Sequence, residues 1–269
     1  MPDSARAQRS GVTRYRRALW LLTSRDLRVR YSTSALGYLW SILDPLLMSG
    51  IYWFVFTQVF QRDVGVDPYI VFLLAALLPW MWFNGAVSDA TRAFLRDSKL
   101  IRSTTIPRTI WVARLVLSKG LEFLFSLPVL AAFAILYQAE VHWQIVLFPL
   151  GVVLQLVLTL GVGMLVAPLV VFFRDLERAT KLVLRFLFYA TPIIYGLHDL
   201  EVIDFHGIPL DKIAAFNPLA GIFSLYRSAF FPENLSWYAV GVAALMSAIL
   251  FAVGFLVFQR SIRSVLKAI

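Results

Sequence analysis

Two residue types in this sequence sit where chemistry is possible: aromatic rings inside apolar stretches, and arginines just outside them. Trp40, Tyr52, Trp53, Phe54 and Phe56 crowd one apolar run, Trp80, Trp82 and Phe83 a second, and Phe186, Phe188, Tyr189 and Tyr195 a third. The C–H face of a sugar ring packs on an aromatic face, while a Tyr hydroxyl or Trp N–H supplies a polar handle. Such contacts are shallow and repeat along a surface, so a polymer slides over them without deep trapping. Trp and Tyr also gather at membrane–water boundaries for their own amphipathic reasons, which accounts for about half of these rings.

Other chemistry is scarce. No GxxxxGK[ST] loop is present to cradle phosphates, and neither HExxH nor GxSxG occurs. There is no cysteine, and His142, His198 and His206 are scattered without ligand spacing, so no metal site is expected. Outside the basic segments that flank them, the charges inside apolar runs are Asp44, Lys119 and Glu122. Lys119 and Glu122 stand three apart on one helix face and can neutralise each other. A proton relay would use the same residues, but no further acidic chain accompanies them.

The elements that hold these residues follow from composition. The chain has 269 residues, 59% hydrophobic and 15% charged, with a mean hydropathy of +0.74. Soluble domains are about 45–50% apolar and about 25% charged. A water-soluble enzyme and a disordered chain are both excluded, leaving an all-α polytopic membrane protein. Apolar runs at about 38–60, 69–88, 109–137, 145–173, 182–197 and 237–258 predict six transmembrane helices. Net charge is +9, and its distribution decides its meaning. Of 25 Lys and Arg, 21 fall in alternate segments, 1–37, 89–114, 174–185 and the tail after 258. Only Arg62, Lys212 and Arg227 lie in the opposite loops. The positive-inside rule then puts both termini in the cytoplasm. The charge is used for topology, so nucleic acid is not expected as a partner. The whole chain, 1–269, reads as one membrane domain: a cytoplasmic or interface segment 1–37, a six-helix bundle 38–258 and a cytoplasmic tail 259–269.

Three segments outside the spans stand out. In 14–31, Tyr15, Ala18, Leu19, Leu22 and Val29 share a face at helical spacing, which suggests an N-terminal amphipathic helix at the interface; a basic tail that only sets topology is the alternative. The separation is imperfect, because Asp26 and Arg30 fall near the apolar side. Segment 96–108 is polar and basic, either a solvated loop or a short helix from Asp97 to Ser103 that docks a cytosolic partner. Segment 198–236 is acidic yet contains the apolar stretch 216–231. Asn217-Pro218 is a good helix start, and the stretch reads as a re-entrant or surface-lying outer segment.

Arg25-Asp26-Leu27-Arg28-Val29-Arg30-Tyr31, Ser34-Ala35-Leu36-Gly37-Tyr38-Leu39-Trp40 and Asp44-Pro45-Leu46 resemble the opening of the type 2 ABC exporter permeases for polysaccharides, the Wzm-like O-antigen and TagG-like teichoic-acid exporters. Pro79-Trp80 with Phe83, Leu100-Ile101 before Pro107-Arg108, Phe173-Arg174-Asp175-Leu176, Tyr189-Ala190-Thr191-Pro192-Ile193 with Tyr195, Asn217-Pro218-Leu219, and Tyr226-Arg227 follow in family order. Ile106 departs from the Phe common there, as does Thr109-Ile110-Trp111 from a Pro-containing stretch.

The resemblance implies a homodimer joined to a separate Wzt-like nucleotide-binding ATPase, which holds ATP and Mg; this chain itself carries no cofactor. The implied cargo is a lipid-linked glycan built on a polyprenyl diphosphate, of the O-antigen, teichoic-acid or galactan class, the last as in mycobacterial relatives. The glycan channel would be lined by Trp40, Tyr52, Trp53, Phe56, Phe188, Tyr189 and Tyr195. Arg25, Arg28 and Arg30 would meet the lipid-diphosphate head, or else set topology and touch membrane lipids. Asp97, Lys99, Leu100, Ile101 and Arg102 would dock the ATPase, and Asn217, Pro218, Tyr226 and Arg227 would form the outer gate. A small-molecule or drug exporter of the same superfamily, a proton-driven carrier and a membrane glycosyltransferase remain alternatives.

Overall fold

The computed structural model describes residues 2–32, 39–55, 67–201 and 209–268. All regular structure among them is helical. Phe56 lies outside the described residues, as do most of the loop before Tyr69 and residues 202–208 of the outer segment.

A helix that is apolar all round offers no face to water and is surrounded by protein or lipid. Helix α3 (Tyr69–Ala90) is such a helix, and 83% of its apolar stretch is buried inside the protein. It packs against α2 (Trp40–Trp53), α6 (Ile110–Leu136), α7 (Phe148–Phe172), α8 (Asp175–Ala190) and α11 (Pro218–Arg227). Polar contacts fix its seat. Trp82 Nε1 donates to the Val116 carbonyl at 3.0 Å, and its ring stacks on Phe123 at 5.4 Å. Gln155 Nε2 donates to the Pro79 carbonyl at 2.6 Å.

The most extensive packing is between α7 and α12 (Trp237–Ala268). Small residues let membrane helices approach backbone to backbone. A Cβ added at Gly254 would lie 2.0 Å from the Gly161 carbonyl oxygen, so this crossing accepts only glycine.

Among the described residues, four helices are long and apolar enough to cross a membrane: Tyr69–Ala90, Ile110–Leu136, Trp143–Phe172 and Trp237–Ala268. They coincide with four of the expected runs. The last continues to Ala268, so the expected tail is helical too. The other two runs differ in detail. Within 38–60 the described helix is α2, 14 residues long. Within 182–197 the helix begins early, at Asp175, and ends at Ala190. Thr191 is extended (φ −95°, ψ 141°) because the following Pro192 disfavours the helical region for its predecessor. Residues 191–197 are therefore a bend, not the end of a span.

Helix α1 (Pro2–Ser32) is longer than the 14–31 expectation and runs beside the first half of α6. Short helices α4 (Ala93–Arg96) and α5 (Ser98–Ser103) lie between α3 and α6. Helices α9 (His198–Glu201) and α10 (Leu210–Ala215) lead into α11.

Candidate functional site

Three groups of residues matter: an aromatic cluster between α2 and α8, a charged hub under α5, and a clamp at the end of α8.

The Tyr52 ring lies over Phe188 at 5.7 Å between centroids, with planes 28° apart. Phe188 meets Trp80 edge-on at 5.6 Å and Tyr189 at 5.1 Å. Tyr195 Oη donates to the Tyr189 carbonyl at 3.1 Å. Phe188 is buried, while Tyr189 is 63% exposed and forms the open front of the cluster. Trp53 is half-buried. Trp40 is exposed and stands 12 residues before Tyr52 on α2, roughly 18 Å away at 1.5 Å per residue. Both helices also expose apolar side chains, Leu47, Met48 and Ile51 on α2, with Phe54 just after it, and Leu182, Val183 and Phe186 on α8. The cluster can stack planar or ring-shaped groups along Tyr189; it holds no acid–base pair.

The α5 segment is anchored from beneath. Arg114 on α6 is 2% exposed. Its Nη1 donates to both oxygens of Asp26 at 2.6 and 2.7 Å, and its Nη2 to Asp97, the residue preceding α5. One guanidinium fork thus joins α1, α5 and α6, the geometry for which Arg is suited. Burial pushes the Asp26 carboxyl above its ordinary value, and the Arg114 charge opposes the shift. Arg108 Nη1 donates to the Ile101 and Thr104 carbonyls at 2.7 and 3.1 Å, satisfying groups left open at the end of α5. The expected docking residues therefore divide. Asp97 and Ile101 face inward, Leu100 is half-buried, and Lys99 and Arg102 are exposed.

Beside this hub lies a second, charge-balanced cluster. Arg30 donates to Asp89 and to Glu122, each at 2.6 Å, and Lys119 pairs with Glu122 at 2.7 Å. Gly85 makes room for the Lys119 stem, since a Cβ there would lie 3.0 Å from it. Arg30 is thus held between carboxylates, while Arg25 and Arg28 are exposed. Asp26 and Arg30, the two charges that spoilt the amphipathic pattern of α1, are the ones that bind α6. At the foot of α8, Glu177 accepts from Arg92 Nε at 2.9 Å and from Lys181 at 2.7 Å, which lowers its carboxyl to about 2.

The outer segment is tied to α8. Asn217 Oδ1 accepts from the Leu219 N–H at 3.1 Å, capping α11 with Pro218 in its first turn. Asn217 Nδ2 donates to Thr191 Oγ1 at 2.7 Å. Arg227 is buried and ends α11 by donating to the carbonyls of Phe72, Pro192, Ile193 and Tyr195. Its guanidinium carbon sits 3.5 Å from the Phe72 ring centroid. The bend after Ala190 leaves carbonyls without helical partners, and Arg227 supplies the donors. Tyr226 packs edge-on against Phe148 at 4.7 Å and Phe123 at 5.8 Å. Every residue of α11 from Leu219 to Arg227 is buried, so this helix is embedded in the bundle and is not surface-lying.

Sequence reasoning missed Arg114, Arg108 and Thr191. The available signal was the pair of charges misplaced on the α1 face, which called for counter-charges on whatever α1 packs against.

Residues 17–231 match the ABC-2 type transporter family. The chain is 34% identical over 246 residues to an O-antigen export system permease protein, RfbA, of Klebsiella pneumoniae, covering 90% of this chain and 91% of that protein. It is 31% identical to the protein of the same name from Myxococcus xanthus, covering 82% and 83%. It is 24% identical to the polysialic acid transport protein KpsM of Escherichia coli, covering 85% and 86%. With its match to that family extending over most of its length, and several apolar helices to cross a bilayer, the chain belongs to the ABC-2 type transporters as a multi-pass protein of the plasma membrane.

Proposed function

We propose that this chain is the membrane subunit of an ATP-driven exporter that carries a polyprenyl-diphosphate-linked polysaccharide from the cytoplasm to the outer side of the plasma membrane. The observation that carries the reading is the Tyr52–Phe188–Tyr189 cluster, where rings from α2 and α8 meet with Tyr189 open. The relatives' names, two O-antigen permeases and a polysialic acid transporter, agree with a sugar polymer as cargo.

In this reading the chain has six spans, α2 and α8 contributing the two shorter ones. Both termini are cytoplasmic, as the Lys and Arg distribution argues, and α1 lies at the cytoplasmic interface. Two copies pair so that the apolar faces of α2 and α8 are covered and a glycan path opens between them. A separate ATPase presses on α5, whose exposed Lys99 and Arg102 offer it a basic surface. Arg114 passes the displacement to α1 and α6 together. On the outer side Asn217 and Arg227 bind α11 to the end of α8, so any movement of α8 carries the gate with it. Arg25 and Arg28 are free to meet the diphosphate head; Arg30 reaches it only by leaving a carboxylate.

The test is complementation of a depleted cell in which lipid-linked glycan accumulates on the cytoplasmic side. A Tyr52→Ala/Tyr189→Ala double variant is expected to lower export by about tenfold or more, two ring contacts of about 1 kcal/mol each being lost, while ATPase association persists. Normal export by the variant, or transport by the purified chain without any ATPase, overturns the reading.

A further inference from the structure

A groove of about 830 Å³ runs between α1 and the first half of α6. Arg16, Arg17, Leu19 and Trp20 line one bank, and Leu117 and Leu121 the other. Among the described residues, no acidic side chain lines it. The nearest carboxylates along the two helices are already engaged, Asp26 by Arg114 and Glu122 by Arg30 and Lys119. The arginines are exposed and Trp20 is 63% exposed, whereas both leucines are half-buried. Positive charge is therefore concentrated on α1, while the facing wall is apolar and belongs to a helix long enough to cross the membrane.

We propose that this groove holds one anionic phospholipid of the cytoplasmic leaflet. Its phosphate lies at Arg16 and Arg17, where charge-assisted hydrogen bonds form. Its glycerol passes the Trp20 ring, and an acyl chain follows Leu117 and Leu121. Three observations favour this occupant. The site is cationic, with no counter-charge among the described residues that line it, which selects an anion. It is divided into a polar bank and an apolar bank, as a lipid is. Its apolar bank lies on a membrane-crossing helix, where lipid is the solvent and a soluble partner does not reach. The volume is in the range of small-molecule sites, about 300–1,000 Å³, enough for a headgroup and the upper part of a chain.

The lipid has a structural consequence. Helix α1 is tied to α6 at Tyr15–Thr109, Asp26–Arg114 and Arg30–Glu122. On α1 the lining residues from Arg16 to Thr23 lie between the Tyr15 and Asp26 ties, and on α6 Leu117 and Leu121 lie between the Arg114 and Glu122 ties, so a bound lipid bridges the two helices alongside these contacts. The proposal rests on the membrane reading of α6 and not on the nature of the cargo.

The experiment is native mass spectrometry of the full-length chain, in mild detergent, offered equal phosphatidylglycerol and phosphatidylcholine. The expected result is retention of phosphatidylglycerol by about thirtyfold over phosphatidylcholine, two arginines each contributing roughly 1 kcal/mol. Arg16→Ala/Arg17→Ala brings the two lipids to parity, and Arg16→Lys/Arg17→Lys keeps most of the preference. Leu121→Trp fills the groove without touching the arginines and lowers retention of both lipids, which keeps the proposal testable if the alanine pair unfolds. Equal retention by the wild type overturns it, as does a preference that survives both the alanine pair and the tryptophan. Displacement of phosphatidylglycerol by an equal amount of a polyprenyl phosphate overturns it in favour of a cargo site. None of these readouts depends on export, so failure here is separable from failure of the exporter reading.

Discussion

Arg114 donates from a single nitrogen to both carboxylate oxygens of Asp26, 88 residues away in sequence. The same side chain holds Asp97, so helix α1 and the segment between α3 and α6 are fastened to one buried point. The residue before α5 is thus linked to both α1 and α6 through one side chain.

Replacing Arg114 by Met leaves Asp26 and Asp97 buried and facing each other. Removing one partner of a buried ion pair costs about 3–5 kcal/mol. A fall in unfolding midpoint is expected, and on the proposed exporter reading a loss of export as well. Asp97→Asn keeps the shape and one acceptor, so it is expected to fold nearly normally and to lower the midpoint less. Unchanged stability of Arg114→Met contradicts the role of the hub.

At the outer end, Arg227→Lys retains the positive charge but not the planar fork that reaches carbonyls on both α3 and the bend after α8. At least one of these acceptors stays unmet, at about 1–3 kcal/mol for a buried group. The expected outcome is a lower unfolding midpoint together with faster proteolytic cleavage near residues 191–197. Wild-type cleavage rates in the Lys variant count against the clamp.

Glycine substitutions separate crowded from open helix surfaces. Gly254→Ala drives a methyl into the Gly161 carbonyl and is expected to destabilise by about 1–3 kcal/mol or to block folding. Gly241→Ala, on the same helix, meets nothing within 4 Å and is expected to be neutral or mildly stabilising. Thermal unfolding of the two variants side by side decides it; equal midpoints contradict the close α7–α12 crossing.

Acidification tests the foot of α8. The Glu177 carboxyl is lowered from 4.5 to about 2, chiefly by its hydrogen bonds to Arg92 and Lys181. A depressed carboxylate stabilises the fold fully above its unfolded value and loses that contribution as pH falls through the folded one. Glu177→Gln is therefore expected to cost a small, salt-sensitive amount of stability at neutral pH, since its partners are exposed. The difference from wild type shrinks between pH 4.5 and about 2. A difference that stays constant across that window in unfolding scans rules out the ion pair as its source.

The amino-acid order by itself determined that the chain lives in a bilayer, where four of its long helices lie, how Asn217-Pro218 starts a helix and that Lys119 and Glu122 pair. These are local properties: an apolar run of sufficient length, a residue that caps its own helix, two charges three positions apart. They need no knowledge of distant neighbours. The aromatic cluster was half legible, because Tyr52, Phe188 and Tyr189 stood out by type, but that they touch while Trp40 stands apart depends on how α2 meets α8. The end of α8 at Ala190 was written in Thr191-Pro192, yet run length alone carried the expected span to 197. Only the tertiary structure decided which charges are tethers and which are free. Arg30 looks like Arg25 and Arg28 in the sequence, and differs because helical periodicity turns it toward Asp89 and Glu122. Arg114 looks like a topology marker and Arg227 like a lone loop charge, and they become the two buried fasteners because desolvated guanidinium groups persist only where the fold gathers carboxylates or orphaned carbonyls around them.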